Sequence, residues 1–465
     1  MAMGLSLGRG VGEMRLRAPQ LGLTTCFRLA LTSGALLGLA ACDVDDASSP
    51  TACSPTNIAL TATKDSDRVN AVTSHVDEAM NALMGTVGNG SCSVVLVAGN
   101  TIKTINGYGD PRPPESTDSI PVTWPAQAPY YVGSIAKTVT ALAMLRMIEE
   151  SPDLGLDDTL GEHLADYDIP SGWSALTLRQ LLSHTSGIAK DPTSIDSEAS
   201  LQATFPEAGD HPGIHPRYAF ESYKRFMPPG LGFNQQFTAL YSNIGYSLLG
   251  LIIDDRVAGE LAADASGYEA YVFDNIALDA GGLNEPAMVS MCLGASWRAD
   301  NIENLAAPRN AAGVGISVFQ GNGWEGPSGG WTMTVGDLGR LMIAMEYNER
   351  ISPTMREEML TREGRDSGTQ MSSETGDEVA QYALGVAVEP SGAEPYFAKG
   401  GDIDGYTSNF KYYTSANVGA GILCSRQSVS HEALLDAIHA ILEPCLGEGL
   451  NKPAFCSPTG GLAGG

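Results

Sequence analysis

From Ser134 to Glu150 the chain runs without a glycine or proline. Ile135, Val139, Leu142, Ala143 and Ile148 recur along it at close to helical spacing, which predicts one helix. Gly133-Ser134 reads as its start, with Ser134 a favoured N-cap type. Ser134 and Lys137 lie three apart, so on a helix their side chains share a face, one turn apart. A hydroxyl is a weak nucleophile, and an amine that close can share or take its proton. The positive end of the helix also favours negative charge developing beside Ser134. Most Ser-x-x-Lys strings are only a capping serine and a solvated lysine. The chain holds a second one, Ser408-Asn-Phe-Lys411, in a strand-like setting. The pair therefore carries meaning only through partners elsewhere.

The chain's beginning reads as an export signal. Arg15, Arg17 and Arg28 precede an apolar run from Leu29 to Ala41, too short to span a bilayer comfortably. The run ends Leu39-Ala40-Ala41-Cys42, which resembles the lipobox of bacterial lipoproteins, where Cys42 would become the lipidated N-terminus. Residues 1–42 are thus expected as a lipoprotein signal peptide and 43–67 as a flexible tether rich in Asp, Ser, Thr, Pro and Ala. Expected next are a catalytic domain over 68–445 and a mobile Gly-rich tail over 446–465. The localisation implied is the cell envelope, with the membrane reached through the lipid anchor only. The formal net charge is −27, and residues 1–41 carry +3 of it, so the remainder is at −30. That excludes nucleic acid as a partner and adhesion to anionic membranes by charge.

Six cysteines would remain after processing: Cys53, Cys92, Cys292, Cys424, Cys445 and Cys456. An even count in an exported protein points to disulfides. None forms a CxxC pair or a His-rich cluster, so no metal is expected. His211 and His215, each followed by proline, read as solvated loop residues.

Taken in order, residues 67–84 look helical, and Ser91–Ala98 is a buried-type strand joined by Gly99-Asn100 to a partner over 101–108. Thr177 can cap a short helix over 178–183, with Gly187 closing the turn after it. Residues 190–230 lack periodicity and read as a long loop or lid. Tyr241 and Asn243, two apart in an extended segment, point the same way, ahead of an apolar helix over 245–254. The string Gly321-Asn-Gly323-Trp-Glu-Gly326 fits GxGxxG but has no preceding strand and is followed by Pro327, so it fails as a dinucleotide loop. Residues 334–345 and 431–442 read as helices, and 409–413 and 419–425 as strands. No GxSxG elbow is present, which counts against an ordinary α/β-hydrolase.

Ser134-x-x-Lys137, Tyr241-x-Asn243 and Lys399-Gly400-Gly401 stand in the order of the three motifs of serine β-lactamases and penicillin-binding proteins. Leu181-Leu-Ser-His-Thr-Ser-Gly187, Pro229-Gly230 and Gly401-Asp-Ile-Asp-Gly405-Tyr406 narrow the likeness. Together they resemble the class C β-lactamase family, which also holds D-alanyl-D-alanine carboxypeptidases, D-aminopeptidases and family VIII esterases. The resemblance covers roughly residues 91–442. It implies an α+β fold of two lobes: an antiparallel β-sheet flanked by helices, and a mostly helical lobe, with the site between them. It also implies that Cys92 and Cys424 pair.

Carried over by residue, the resemblance makes Ser134 the nucleophile that forms an acyl-enzyme, Lys137 the group that keeps the proton network primed, and Tyr241 the general base. Lys137 and Lys399 would favour its phenolate. Asn243 would bind substrate and Lys137. The backbone N–H groups of Ser134 and Asp402 would form the oxyanion hole, and His184 would hold a turn. No cofactor is implied. Family members that bind β-lactams usually carry Thr or Ser where Gly400 stands, and Asp402 and Asp404 add negative charge beside it. Both changes favour a neutral ester, or an amide with a free amine, over an anionic substrate. The expectation is an exported, lipid-anchored serine hydrolase acting on a small-molecule or peptidoglycan-like ester, amide or peptide. One alternative is a β-lactamase or D-alanyl-D-alanine carboxypeptidase acting on anionic substrates. Another, of a different class, is a non-catalytic peptidoglycan-binding lipoprotein.

Overall fold

Every residue of Ser91–Ala98 (β1) is buried, so both faces of this strand are covered. Gly99 turns the chain at φ 63° into Thr101–Gly109 (β2). The computed structural model describes residues 74–112, 124–170, 172–188, 200, 203–204, 206, 241–257, 266–277, 288, 291–293, 305–316, 325–347, 350–361, 381–389, 394–427, 429–446 and 452–457. The proposed signal, Cys42, the tether, nearly all of the 190–230 stretch with His211 and His215, and the GxGxxG string up to Trp324 lie outside the described residues.

Among the described residues the strands are β1, β2, Tyr130–Tyr131 (β3), Cys292–Leu293 (β4), Trp331–Met333 (β5), Gln381–Tyr382 (β6), Ala387–Glu389 (β7), Tyr396–Ile403 (β8), Tyr406–Tyr413 (β9) and Val418–Cys424 (β10). Seven of them form one sheet in the order β2-β1-β10-β9-β8-β7-β6, every pair antiparallel. The first strands of the domain thus lie beside the last, as the family resemblance implies. β3, β5 and β4 make a small antiparallel sheet of their own.

The helices used below are Ser74–Val87 (α1), Ala136–Glu150 (α2), Leu178–Leu182 (α3), Asn243–Val257 (α4), Gly326–Gly329 (α5), Val335–Glu346 (α6) and His431–Leu442 (α7). α1 and α7 cover one face of the large sheet: Val76, Met80, Leu434 and Ile438 pack with Val94, Leu96 and Ile422. α6 covers the other, where Leu338 joins the alternate residues Val95, Val97 and Leu423. The alternation follows from the two-residue period of a strand. α2 and α4 are almost wholly buried, so they form the interior of the second, helical lobe.

Cys92 faces Cys424 across β1 and β10, and the two are bonded with their Cα atoms 4.1 Å apart. This meets the reach a disulfide requires. A second bond joins Cys445 to Cys456. The 446–465 stretch was expected as a mobile tail. Within it, that bond ties the Ala454–Cys456 turn to the turn that follows α7.

Candidate active site

Ser134 does not cap the helix. It sits inside a 3-10 turn, Gly133–Ile135, that leads into α2, and no side-chain cap is made there. Its hydroxyl is engaged elsewhere: Tyr241 OH lies 2.6 Å from Ser134 Oγ, and Lys137 Nζ donates to the same atom at 3.0 Å. The N-cap reading failed because a side chain held by two partners above the turn is not available to the backbone N–H groups below it.

Lys137 is fully buried, and a buried ammonium is tolerated only when hydrogen-bonded. Besides Ser134 Oγ it donates to Asn243 Oδ1 at 2.6 Å and to the Ser328 carbonyl at 2.7 Å. Three donors meeting three acceptors match an ammonium's capacity. The Ser328 carbonyl comes from α5, two residues past the end of the Gly321–Gly326 string that fails as a dinucleotide loop.

Tyr241 and Asn243 do converge, although not as neighbours on an extended segment. Asn243 opens α4 while Tyr241 lies just before it. Helix α4 is held against α3 by Tyr246, whose hydroxyl donates to the Leu182 carbonyl at 2.6 Å. α3 is itself closed by a capping box in which Thr177 and Gln180 satisfy each other's backbone N–H groups.

Lys399 lies on β8, fully buried, with Nζ 4.9 Å from the centre of the Tyr241 ring and 4.8 Å from that of Tyr382. Lys137 Nζ is 4.6 Å from the Tyr241 ring. Two cations therefore flank one phenol, in the range of cation–π contact. Tyr382 belongs to no motif and could not have been found from the sequence. Gly401, on the same strand face as Lys399, is pressed against the serine turn. A Cβ there would stand 2.1 Å from Val132 O and 2.7 Å from Ser134 N. Gly133, at φ +50°, faces back: its Cβ would lie 2.7 Å from Asp402 N. The two backbone nitrogens expected to form the oxyanion hole therefore belong to segments in direct contact. Ser408 Oγ bridges them, 2.8 Å from Val132 O and 3.1 Å from Gly401 O.

That use disposes of the second Ser-x-x-Lys string. Three apart on β9, Ser408 and Lys411 point to opposite faces, and Lys411 Nζ sits 3.7 Å over the Tyr396 ring. Gly400 lies between Lys399 and Gly401 without a side chain, opposite Asn409. Asp402 turns its half-exposed carboxylate toward α7, where His431 Nε2 stands 2.6 Å from it. Cys42 falls outside the described residues.

A family model described as Beta-lactamase matches residues 76–443. The chain is 23% identical over 339 residues to Beta-lactamase-like protein 4 of Dictyostelium discoideum, covering 70% of this chain and 56% of that protein. It is 28% identical over 165 residues to Protein flp of Staphylococcus aureus, covering 35% of this chain and 29% of that one. The chain thus spans about half the length of the first relative and under a third of the second. Among solved structures it shares its fold with a class C beta-lactamase (TM-score 0.58, 17% identity, 81% of this chain and 97% of that one). It also shares it with the D-amino acid amidase of Ochrobactrum anthropi SV3 (TM-score 0.56, 16% identity, 79% and 98%). With its three motifs gathered around one serine and the family model spanning most of its length, the chain belongs to the beta-lactamase family.

Proposed function

We propose that this protein is a serine hydrolase that opens an ester, amide or peptide bond through an acyl-enzyme on Ser134. The observation that carries the reading is the approach of Tyr241 OH (2.6 Å) and Lys137 Nζ (3.0 Å) to one hydroxyl. Tyr241, as phenolate, accepts the Ser134 proton while Oγ bonds to the substrate's carbonyl carbon. The carbonyl π electrons move to oxygen, where the N–H groups of Ser134 and Asp402 receive the charge. Collapse of the tetrahedral centre expels the leaving group, which takes the proton from Tyr241. Water then attacks the acyl carbon with Tyr241 again accepting a proton. Departure of the acid returns that proton to Ser134. Lys137, oriented by Asn243 and Ser328, and Lys399 stabilise negative charge on the phenol throughout.

The substrate we propose is a neutral ester or an amide bearing a free amine. Gly400 offers no hydroxyl for a substrate carboxylate, while the Asp402 carboxylate points away from the serine turn toward His431 on α7. We further propose that the protein is exported and anchored by lipid on Cys42, supported by the Leu39-Ala-Ala-Cys42 string. Among the described residues no helix is long and apolar enough to cross a membrane.

Initial rates with p-nitrophenyl acetate and nitrocefin test the substrate class. The acetate is expected to be the better substrate, and a clear preference for nitrocefin would overturn the assignment. A fluorescent phosphonate should label the protein at Ser134, with labelling lost in Ser134→Ala. An unlabelled wild-type chain would favour the non-catalytic binding role. Metabolic incorporation of labelled fatty acid, lost in Cys42→Ser, tests the anchor.

A further inference from the structure

We propose that His184 is a positioning residue for Tyr241, its imidazole forming the wall that holds the phenol between Lys137 and Lys399. The proposal rests on Tyr241 acting as the base. His184 is fully buried immediately after α3, at φ 57°, a left-handed conformation unusual for a residue with a side chain. Its ring centre stands 4.2 Å from that of Tyr241, 4.6 Å from Tyr382 and 5.1 Å from Tyr246. It therefore touches the ring of the base and the ring on the far side of Lys399. A residue serving only to close the turn after α3 needs none of these contacts, and Asn or Gly would adopt the backbone at lower cost.

The hydrogen bonding sets the tautomer. The Ser242 backbone N–H donates to His184 Nδ1 at 3.2 Å, so Nδ1 carries no proton and the hydrogen resides on Nε2. Ser242 is the residue between Tyr241 and Asn243, so this one bond fixes the backbone from which both functional side chains project. Nε2 is buried without a hydrogen-bond partner. A buried donor left without a partner is costly and calls for an explanation. The groups facing the imidazole are Tyr241, Tyr246 and Tyr382, with Lys137 and Lys399 close enough to act on it. Burial first, then the two lysines, hold its ionisation well below the usual histidine range. The wall is thus a flat polar ring that brings no third positive charge.

His184→Asn tests this. Asn tolerates the left-handed backbone and can still accept from Ser242 N–H, but it removes the ring. With active sites counted by phosphonate titration, kcat/KM per site should fall roughly 10- to 100-fold. The loss should lie in kcat rather than KM, and the acid limb of the pH profile should move to higher pH as the phenol drifts from its cations. A kcat within twofold of wild type and an unmoved acid limb would overturn the proposal. Tyr241→Phe is run alongside. If it keeps wild-type activity, both the base assignment and this proposal fall; if it is inactive while His184→Asn is unchanged, only this proposal falls. Should His184→Asn not fold, nitrogen-15 spectra of histidine-labelled wild-type protein decide. One ring locked as the Nε2–H tautomer and silent between about pH 5 and 9 supports the proposal. No such ring overturns it.

Discussion

At Lys137 the proposed division of labour rests on the acceptors around its Nζ. With Ser134, Asn243 and Ser328 all accepting from its Nζ, we assign the proton-accepting role to Tyr241 as part of the proposed mechanism. Lys137→Ala should therefore cost acylation about 10²-fold or more, measured as phosphonate inactivation rate. Lys137→Arg should fail to restore it, since a planar guanidinium cannot replace a compact ammonium among three fixed acceptors. His184 carries a second residue-scale consequence, in stability. The folded protein holds it neutral, with its ionisation depressed chiefly by burial, whereas in the unfolded chain histidine titrates near about 6.5. Below that pH the unfolded state binds a proton that the fold does not. Stability is thus fully present above about pH 6.5 and declines as the pH falls toward the depressed value. Thermal melts from pH 7.5 to 5 should show a shallower loss for His184→Asn than for wild type.

Among the elements, the contact that makes the site is β8 against the serine turn. It is possible because Gly401 and Gly133 face each other with no side chain between. In Gly401→Ala the added methyl meets Val132 O and Ser134 N, both backbone, so neither can swing aside. The strand must retreat, taking Asp402 N with it. Loss of one oxyanion donor is typically worth about 10²–10³ in kcat. A drop of that size with an unchanged circular dichroism spectrum is expected. Activity near wild type would place the oxyanion donor elsewhere.

For the molecule as a whole, the Cys92–Cys424 bond joins residues 332 apart and ties the first strand of the sheet to its last. It lies in the core under α1 and α7, on the sheet face away from Lys399. Cross-links of this kind typically contribute about 2–4 kcal/mol, mainly by restricting the unfolded chain. The Cys92→Ala/Cys424→Ala variant should melt several degrees lower while keeping kcat within about twofold. A large loss of kcat in folded protein would mean that the sheet transmits the bond to the Asp402 end of the same row, where Asp402 faces Thr407 and Thr407 faces Cys424.

Local pattern sufficed wherever the physics is local. The period of apolar residues, the cap at Thr177 and the Gly99-Asn100 turn placed helices and strands that the structure contains at nearly those residues. Ser134, Lys137, Tyr241, Asn243 and Lys399 were legible because motif order survives in one dimension, through the family resemblance. Tertiary structure alone decided the rest. It released Ser134 from capping, brought the Ser328 carbonyl to Lys137, set Tyr382 under Lys399, and laid the His184 ring against those of Tyr241 and Tyr382. These contacts join residues 17 apart in one case (Tyr382 and Lys399) and 191 apart in another (Lys137 and Ser328), selected by burial of charged and aromatic groups in one cleft. No periodicity along the chain encodes which distant neighbour such a group will meet.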